Sequence, residues 1–214
     1  MIKALSEAGR RIVFVNCSGS AIALTPESQR VDAILQAWYP GEQGGTAVAD
    51  VLFGDYNPSG KLPVTFYKND AQLPDFLDYR MAGRTYRYFK ETPLFPFGYG
   101  LSYTQFTIGQ PRYINNQVQV SVSNTGKRDG DEVVQVYIRR TDDAAGPIKT
   151  LRGFQRVSLK VGETKQVSVS LPRESFEWWD ASSNTMRVIP GNYEVMVGSS
   201  SMAKNLKTIM VNLK

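Results

Sequence analysis

Histidine is absent from the 214 residues, and cysteine occurs once, at position 17. The first absence removes Ser-His-Asp and Cys-His nucleophiles, His-ligated zinc and any imidazole proton shuttle. The second removes an internal disulfide, a CxxC redox pair and a cysteine metal cluster. Carboxylate chemistry, tyrosine chemistry or binding without chemistry remains. Long apolar runs are missing too: none approaches the roughly 20 residues of a spanning helix, so no membrane partner is expected. With 42% hydrophobic and 21% charged residues, the composition reads as a globular chain able to bury roughly 70% of its unfolded surface. Cys17, inside the run IVFVNCSG, reads as a small core residue, which leaves the redox compartment open.

Charge of one sign is scarce. Lys and Arg number 25 against 20 acids, a net charge of +5, and the two signs are mostly interspersed. One segment departs from this. Tyr79 to Lys90, YRMAGRTYRYFK, interleaves Arg80, Arg84, Arg87 and Lys90 with aromatics, the pattern of a stacking platform for single-stranded nucleic acid. It lacks any RNP-type or KH-type motif, so no nucleic-acid partner is expected.

Along the chain, Met1 leads into IKALSEAGRR rather than a signal peptide, with Ile2, Leu5 and Ala8 at helical spacing and Gly9 as C-terminal cap. Ile12 to Cys17 reads as a strand buried on both faces of a parallel sheet, which Ile22 to Leu24 extends or pairs beside. Thr25 is a cap for a helical turn opened by Pro26, and Asp32 to Trp38 is a strand or short helix. YPGEQGG then turns the chain into TAVADVLFG, a helix ending at Gly54. An α/β unit of this kind cannot bury its faces without neighbouring strands, so a fragment is expected. Leu62 to Phe66, LPVTF, reads as a strand. Beyond it, up to residue 106, aromatics, prolines and glycines are dense and periodicity is poor, the mark of an ordered connector packed against something rather than a flexible linker.

From Thr107 onward the pattern is all β. Val118, Val120 and Val122 alternate with polar residues, as do Val134, Val136 and Ile138, and further strands fall at 157–161, 167–171, 192–197 and 208–213. Roughly seven short strands indicate a β-sandwich of immunoglobulin or fibronectin type III kind. The expected fold class is therefore an α/β fragment, the C-terminal portion of an α/β sandwich, followed by an all-β immunoglobulin/fibronectin type III-like sandwich. The expected division is 1–68, a connector over 69–106, and 107–214.

Candidate chemistry is sparse. YPGEQGG sits where a strand meets a helix start, so Glu42 or Gln43 could touch a ligand, but it has neither P-loop nor GxGxxG spacing. Among acids, the group Asp129, Asp131 and Glu132 and the pair Asp142 and Asp143 read as solvated turn residues. Asp75 and Asp78 lie in the connector, where a substrate contact is conceivable. No pair reads as the two carboxylates that split a glycosidic bond. Trp178 and Trp179 could stack on a sugar, but neighbours on a strand face opposite ways, which favours packing.

YPGEQGGTAVADVLFGDYNPSGKLPVTF, then GRTYRYF, FPFGYGLSYTQF and NTGKRDGDEVVQVYI, in that order and over nearly the whole chain, resemble the C-terminal part of glycoside hydrolase family 3 enzymes, the β-glucosidases and β-xylosidases. The resemblance implies a longer enzyme with an N-terminal barrel holding an aspartate nucleophile and an α/β sandwich holding an acid/base glutamate, both upstream of this chain. It implies no catalytic residue, metal or cofactor here, β-linked glucosides, xylosides or oligosaccharides as substrates of the whole, and a periplasmic or secreted location. Within GRTYRYF, Arg84 and Arg87 are expected to bond carbonyls or acids of the missing parts. Alternatively, Arg84, Tyr86 or Tyr88 lines the rim of the aglycone subsite, as substrate-binding residues. Bared surfaces meant for the missing barrel and strands make a homo-oligomer conceivable. The competing reading is an independent carbohydrate-binding or adhesion module.

Overall fold

A computed structural model describes all 214 residues. The chain begins with helix α1 (Ile2–Glu7), strand β1 (Val13–Asn16), a single helical turn α2 (Thr25–Ser28) and strand β2 (Ala33–Gln36). β1 and β2 pair in parallel, Val13 opposite Ala33 and Asn16 opposite Gln36. That register sets the Asn16 amide to donate to Gln36 Oε1 at 2.6 Å. The parallel pair expected from the apolar runs is present, but its burial is not. β1 has one neighbour and no covered outer face, so Val13 is exposed and so is Cys17, contrary to the expectation of a core cysteine. Ile22 to Leu24 forms no strand. Thr25 lies inside α2 rather than capping it, and its hydroxyl donates to the Lys68 carbonyl. Helix α3 (Gly44–Phe53) follows the YPGEQGG turn and stops at Gly54, whose φ of 85° is the left-handed cap conformation that glycine adopts without a Cβ penalty.

LPVTF is not a strand. Pro63 has no N–H to donate to a ladder, and only Phe66 makes an isolated bridge, with Phe95. The following segment contains a 3-10 turn (Asp70–Gln72) and one further α-helical turn, α4 (Thr85–Tyr88). From Phe106 the chain is all β, with ten strands where seven were expected. They are β3 (Phe106–Ile108), β4 (Arg112–Ile114), β5 (Gln117–Asn124), β6 (Gly130–Arg140), β7 (Thr150–Leu159), β8 (Thr164–Ser170), β9 (Glu177–Asp180), β10 (Thr185–Val188), β11 (Gly191–Gly198) and β12 (Lys207–Leu213).

Two four-stranded antiparallel sheets face each other. One runs β12-β11-β6-β7; in the other β5 pairs with β8 along one edge and with β3 and β4 along the other. The additional β9-β10 ribbon is a separate two-stranded sheet that sends Trp178 into the core. Alternation explains the core: Val118, Val120 and Val122 of β5 meet Val134, Val136 and Ile138 of β6, in a single cluster of 16 buried residues that also includes Val195, Val197, Phe176 and Tyr193. Every member of that cluster lies between Val118 and Val211.

β6 breaks the alternation, being buried on both faces. Gln135 and Tyr137 point away from the core and are nonetheless covered, because the aromatic connector lies across this side of the sheet. Tyr86 and Phe97 stack with centroids 4.2 Å apart, and Tyr137 meets both edge-on at 5.9 and 6.5 Å. Such pairs contribute about 0.5–1.5 kcal/mol each beyond their buried area. The Tyr86 hydroxyl accepts from the Leu151 N–H, and the Arg87 carbonyl accepts from Ile148. A second run of aromatic contacts, Trp38 to Phe66 to Phe95 to Tyr99, ties the connector back to the end of β2. No helix is long and apolar enough to cross a membrane.

Candidate functional site

Most of the candidate carboxylates are already engaged. Asp75 Oδ1 accepts the Leu77 N–H at 2.8 Å, and Asp78 accepts from the Arg80 N–H and guanidinium. Those bonds hold the Asp78 carboxyl well below the usual range. Asp131 pairs with Arg156 and Asp142 with Arg140; a hydrogen bond from Ser158, with Arg156 adding, lowers the Asp131 carboxyl, and Arg140 lowers that of Asp142. Asp129 accepts the Val161 N–H. The expectation that Asp131 and Glu132 are solvated turn residues fails, since both lie on β6. Glu132 is buried and bonded to Lys61, Nζ to Oε1 at 2.8 Å, while the same ammonium donates to the Gly100 carbonyl at 3.2 Å. Nothing local in the sequence marks this pair, because its two members come from different parts of the chain.

The arginine-rich connector turns its polar groups inward. Arg84 donates to the carbonyls of Asp75, Arg80 and Asp78, fastening the loop before it into a closed knot. These are carbonyls of its own loop, whereas the expectation named carbonyls or acids of the missing parts. Tyr86 is spent on Phe97, Tyr137 and Leu151 as described. Tyr88 is half-buried beneath the Arg87 guanidinium, 5.6 Å from its ring centroid. Of the three residues expected at a subsite rim, Arg84 and Tyr86 have their polar groups committed to intrachain contacts. The loop instead exposes Phe76, Leu77 and Tyr79. Glu42 and Gln43 are exposed at the start of α3 without side-chain hydrogen bonds. Trp178 is 5% exposed and Trp179 57%, opposite faces as strand geometry requires.

A cleft of about 500 Å³ opens where the segment Tyr56 to Pro63 crosses β6 and β7, lined among others by Tyr56, Lys61, Phe97, Phe154 and Arg156. No acid lines it, so it offers apolar faces and two cations but no group to attack or protonate a glycosidic bond. Smaller, at about 320 Å³, is a cavity between Pro63–Thr65 and the connector, lined by Tyr67, Met81, Thr85, Tyr86, Arg87 and Phe97.

With this geometry in place, the chain's likeness to known proteins can be placed on it. Residues 1–103 match the glycosyl hydrolase family 3 C-terminal domain, and residues 132–201 the fibronectin type III-like domain. The chain is 57% identical over 218 residues to a xylan 1,4-beta-xylosidase of Xylanibacter ruminicola, covering 99% of this chain and 25% of that protein. It is 40% identical to a periplasmic beta-glucosidase of Salmonella typhimurium, covering 94% of this chain and 29% of the other. The crystal structure of DesR, a beta-glucosidase from Streptomyces venezuelae in complex with D-glucose, superposes with a TM-score of 0.90 at 35% identity, over 100% of this chain and 30% of that one. The chain thus spans between a quarter and a third of the length of these relatives. It belongs to the C-terminal part of the family 3 glycosidases, as a glycosyl hydrolase family 3 C-terminal domain followed by a fibronectin type III-like domain.

Proposed function

We propose that the chain serves as the non-catalytic C-terminal portion of a β-glycosidase that removes terminal β-linked glucose or xylose by a retaining, two-carboxylate route. Its role is to complete and stiffen the enzyme, and alone it is inactive. The observation that carries this reading is the distribution of apolar surface. Of 22 exposed large apolar side chains, 16 lie between Met1 and Tyr103 and six in the sandwich, which has a buried core of its own. A region that leaves this much apolar surface in water is built to be covered. Retaining hydrolysis needs two carboxyls about 5–5.5 Å apart across the sugar, and most of the acids singled out above are tied to turns and ion pairs.

The proposed division is an α/β part over 1–68, a connector over 69–106 and a sandwich over 107–214, supported by the confinement of the core cluster to the last of these. An exported, periplasmic setting is part of the same reading, supported by the Salmonella relative's name. The test is an assay of the purified 214-residue chain on aryl β-glucosides and β-xylosides. No turnover above background is expected; measurable hydrolysis free of contaminating enzyme overturns the reading. A second reading, a sugar-binding module, draws on exposed Trp179, whose cross-strand neighbour Met186 is exposed too. Binding on a glycan array that is lost in Trp179→Ala would favour it.

A further inference from the structure

The floor of the larger cleft is the outward face of β6 and β7, where the antiparallel register sets Val133 opposite Arg156 and Gln135 opposite Phe154. Its wall is the segment Tyr56 to Pro63 together with Phe97 and Gly98. That wall is fastened. Leu62 donates its N–H to the Tyr99 carbonyl at 2.8 Å, and its carbonyl accepts the Gly98 N–H at 2.7 Å. Gly60 and Gly100 touch so closely that a Cβ on Gly100 would lie 2.1 Å from the Gly60 carbonyl oxygen. A cleft of about 500 Å³ held in this way is preformed, and its size falls within the roughly 300–1,000 Å³ of small-molecule sites.

The groups it presents are reachable from solvent. Phe154 is 65% exposed and Tyr56 50%, and the Arg156 side chain is 52% exposed. Both cations of the cleft are already balanced, Lys61 by Glu132 and Arg156 by Asp131. An anion therefore finds no unmatched charge, and a cation meets two positive groups at close range. A neutral ligand is what remains. The polar capacity left over suits hydroxyls: Tyr56 Oη accepts from Arg156 Nη2 at 3.2 Å while its own proton has no acceptor, and Arg156 Nη1 has no hydrogen-bond partner. A pyranose ring meets these demands, its C–H face covering an aromatic ring while its hydroxyls take up the free donors.

We propose that this cleft is a non-catalytic binding site for a neutral β-linked oligosaccharide, one sugar ring lying against Phe154 and Tyr56 with its hydroxyls bonded to Tyr56 Oη and Arg156 Nη1. The β linkage rests on the glycosidase reading above; the preference for a neutral, polyhydroxylated ring rests on the cleft itself. Because the wall comes from residues before the sandwich and the floor from β6 and β7, the site exists only where the two are joined.

The experiment is calorimetric titration of the 214-residue chain with xylobiose and with cellobiose, and with sorbitol, which carries the hydroxyls without the ring, as control. Saturable binding of at least one disaccharide and none of sorbitol is expected. Phe154→Ala should weaken that binding about ten-fold, the worth of roughly 50 Å² of apolar contact. Tyr56→Phe, which keeps the ring and removes the hydroxyl, should weaken it about three-fold, and Trp179→Ala should leave it unchanged. Phe154 and Tyr56 are each half exposed or more, so both cleft variants should keep the parent's unfolding midpoint. No saturable binding of either disaccharide, an equal response to sorbitol, or binding unchanged in both cleft variants overturns the site. Loss in Trp179→Ala alone overturns it too, and gives the binding to the β9-β10 ribbon. Turnover of aryl glycosides, by contrast, strikes the non-catalytic reading and leaves the titration of the cleft standing.

Discussion

Lys61 reaches Glu132 from the connector's approach, with both side chains about nine-tenths buried. A buried ion pair is weak evidence of net stability, but removing one member leaves the other charge unsolvated. Lys61→Met is therefore expected to destabilise the chain by about 3–5 kcal/mol in urea unfolding, and Lys61→Met with Glu132→Leu to recover most of that loss. A double variant as unstable as the single one would show that the pair's geometry, and not its charge, holds the junction. Asp180 illustrates a pH effect. Hydrogen bonds from the Ser182 hydroxyl and N–H, with the Ser183 hydroxyl and Arg187 adding, depress its carboxyl from 3.8 to about 2. A depressed carboxyl adds stability that is complete above the unfolded value and disappears as pH falls through the folded one. Asp180→Ala should thus flatten the loss of stability between about pH 4 and pH 2, read from acid titration of the unfolding midpoint.

At the scale of elements, Gly98 is where the connector touches β6. Its φ is 77°, and a Cβ there would sit 2.0 Å from Gln135 Oε1. Gln135 in turn donates to the carbonyls of Gly98 and Ser199. Gly98→Ala is expected to cost at least about 2 kcal/mol, from left-handed strain of about 1–2 kcal/mol plus the displaced amide, and wild-type stability in that variant would contradict the packing described. The long strands β5, β6, β8, β11 and β12 were legible because apolar residues at alternate positions mark their core-facing sides in the sequence. The helix after YPGEQGG was legible from its glycine stop. What escaped was structure without period. The β4-β5 hairpin turns on Asn115 and Asn116, both at positive φ, a two-residue turn whose Asn-Asn pair is a weaker signal than Asn-Gly. The β9-β10 ribbon is short and largely exposed. Gln135 and Tyr137 carry the mark of an outward face and are buried only because the connector covers them. Of the proposed rim residues, sequence showed that GRTYRYF matters to the molecule, but not that Arg84 is turned onto the carbonyls of its own loop.

For the whole molecule, the asymmetry of apolar exposure has a direct consequence. Phe53 is 84% exposed and Phe76 89%, on the side of the chain that lacks a core cluster. The 214-residue chain should self-associate as its concentration rises, with light scattering giving a mass that grows with dilution reversed; a clean monomer at high concentration would show that the α/β part is self-contained. The two-stranded parallel pair at the start carries this asymmetry into time. β1 and β2 form a sheet of two strands with no further ladder partner and rest on few buried side chains, while Val136 and Val195 sit at the centre of a closed double layer. Opening the first requires only local fraying, and opening the second requires the collapse of everything around it. Placed in deuterated water, the amides of Val15 and Leu35 should trade their protons long before those of Val136 and Val195, so that one polypeptide runs two clocks.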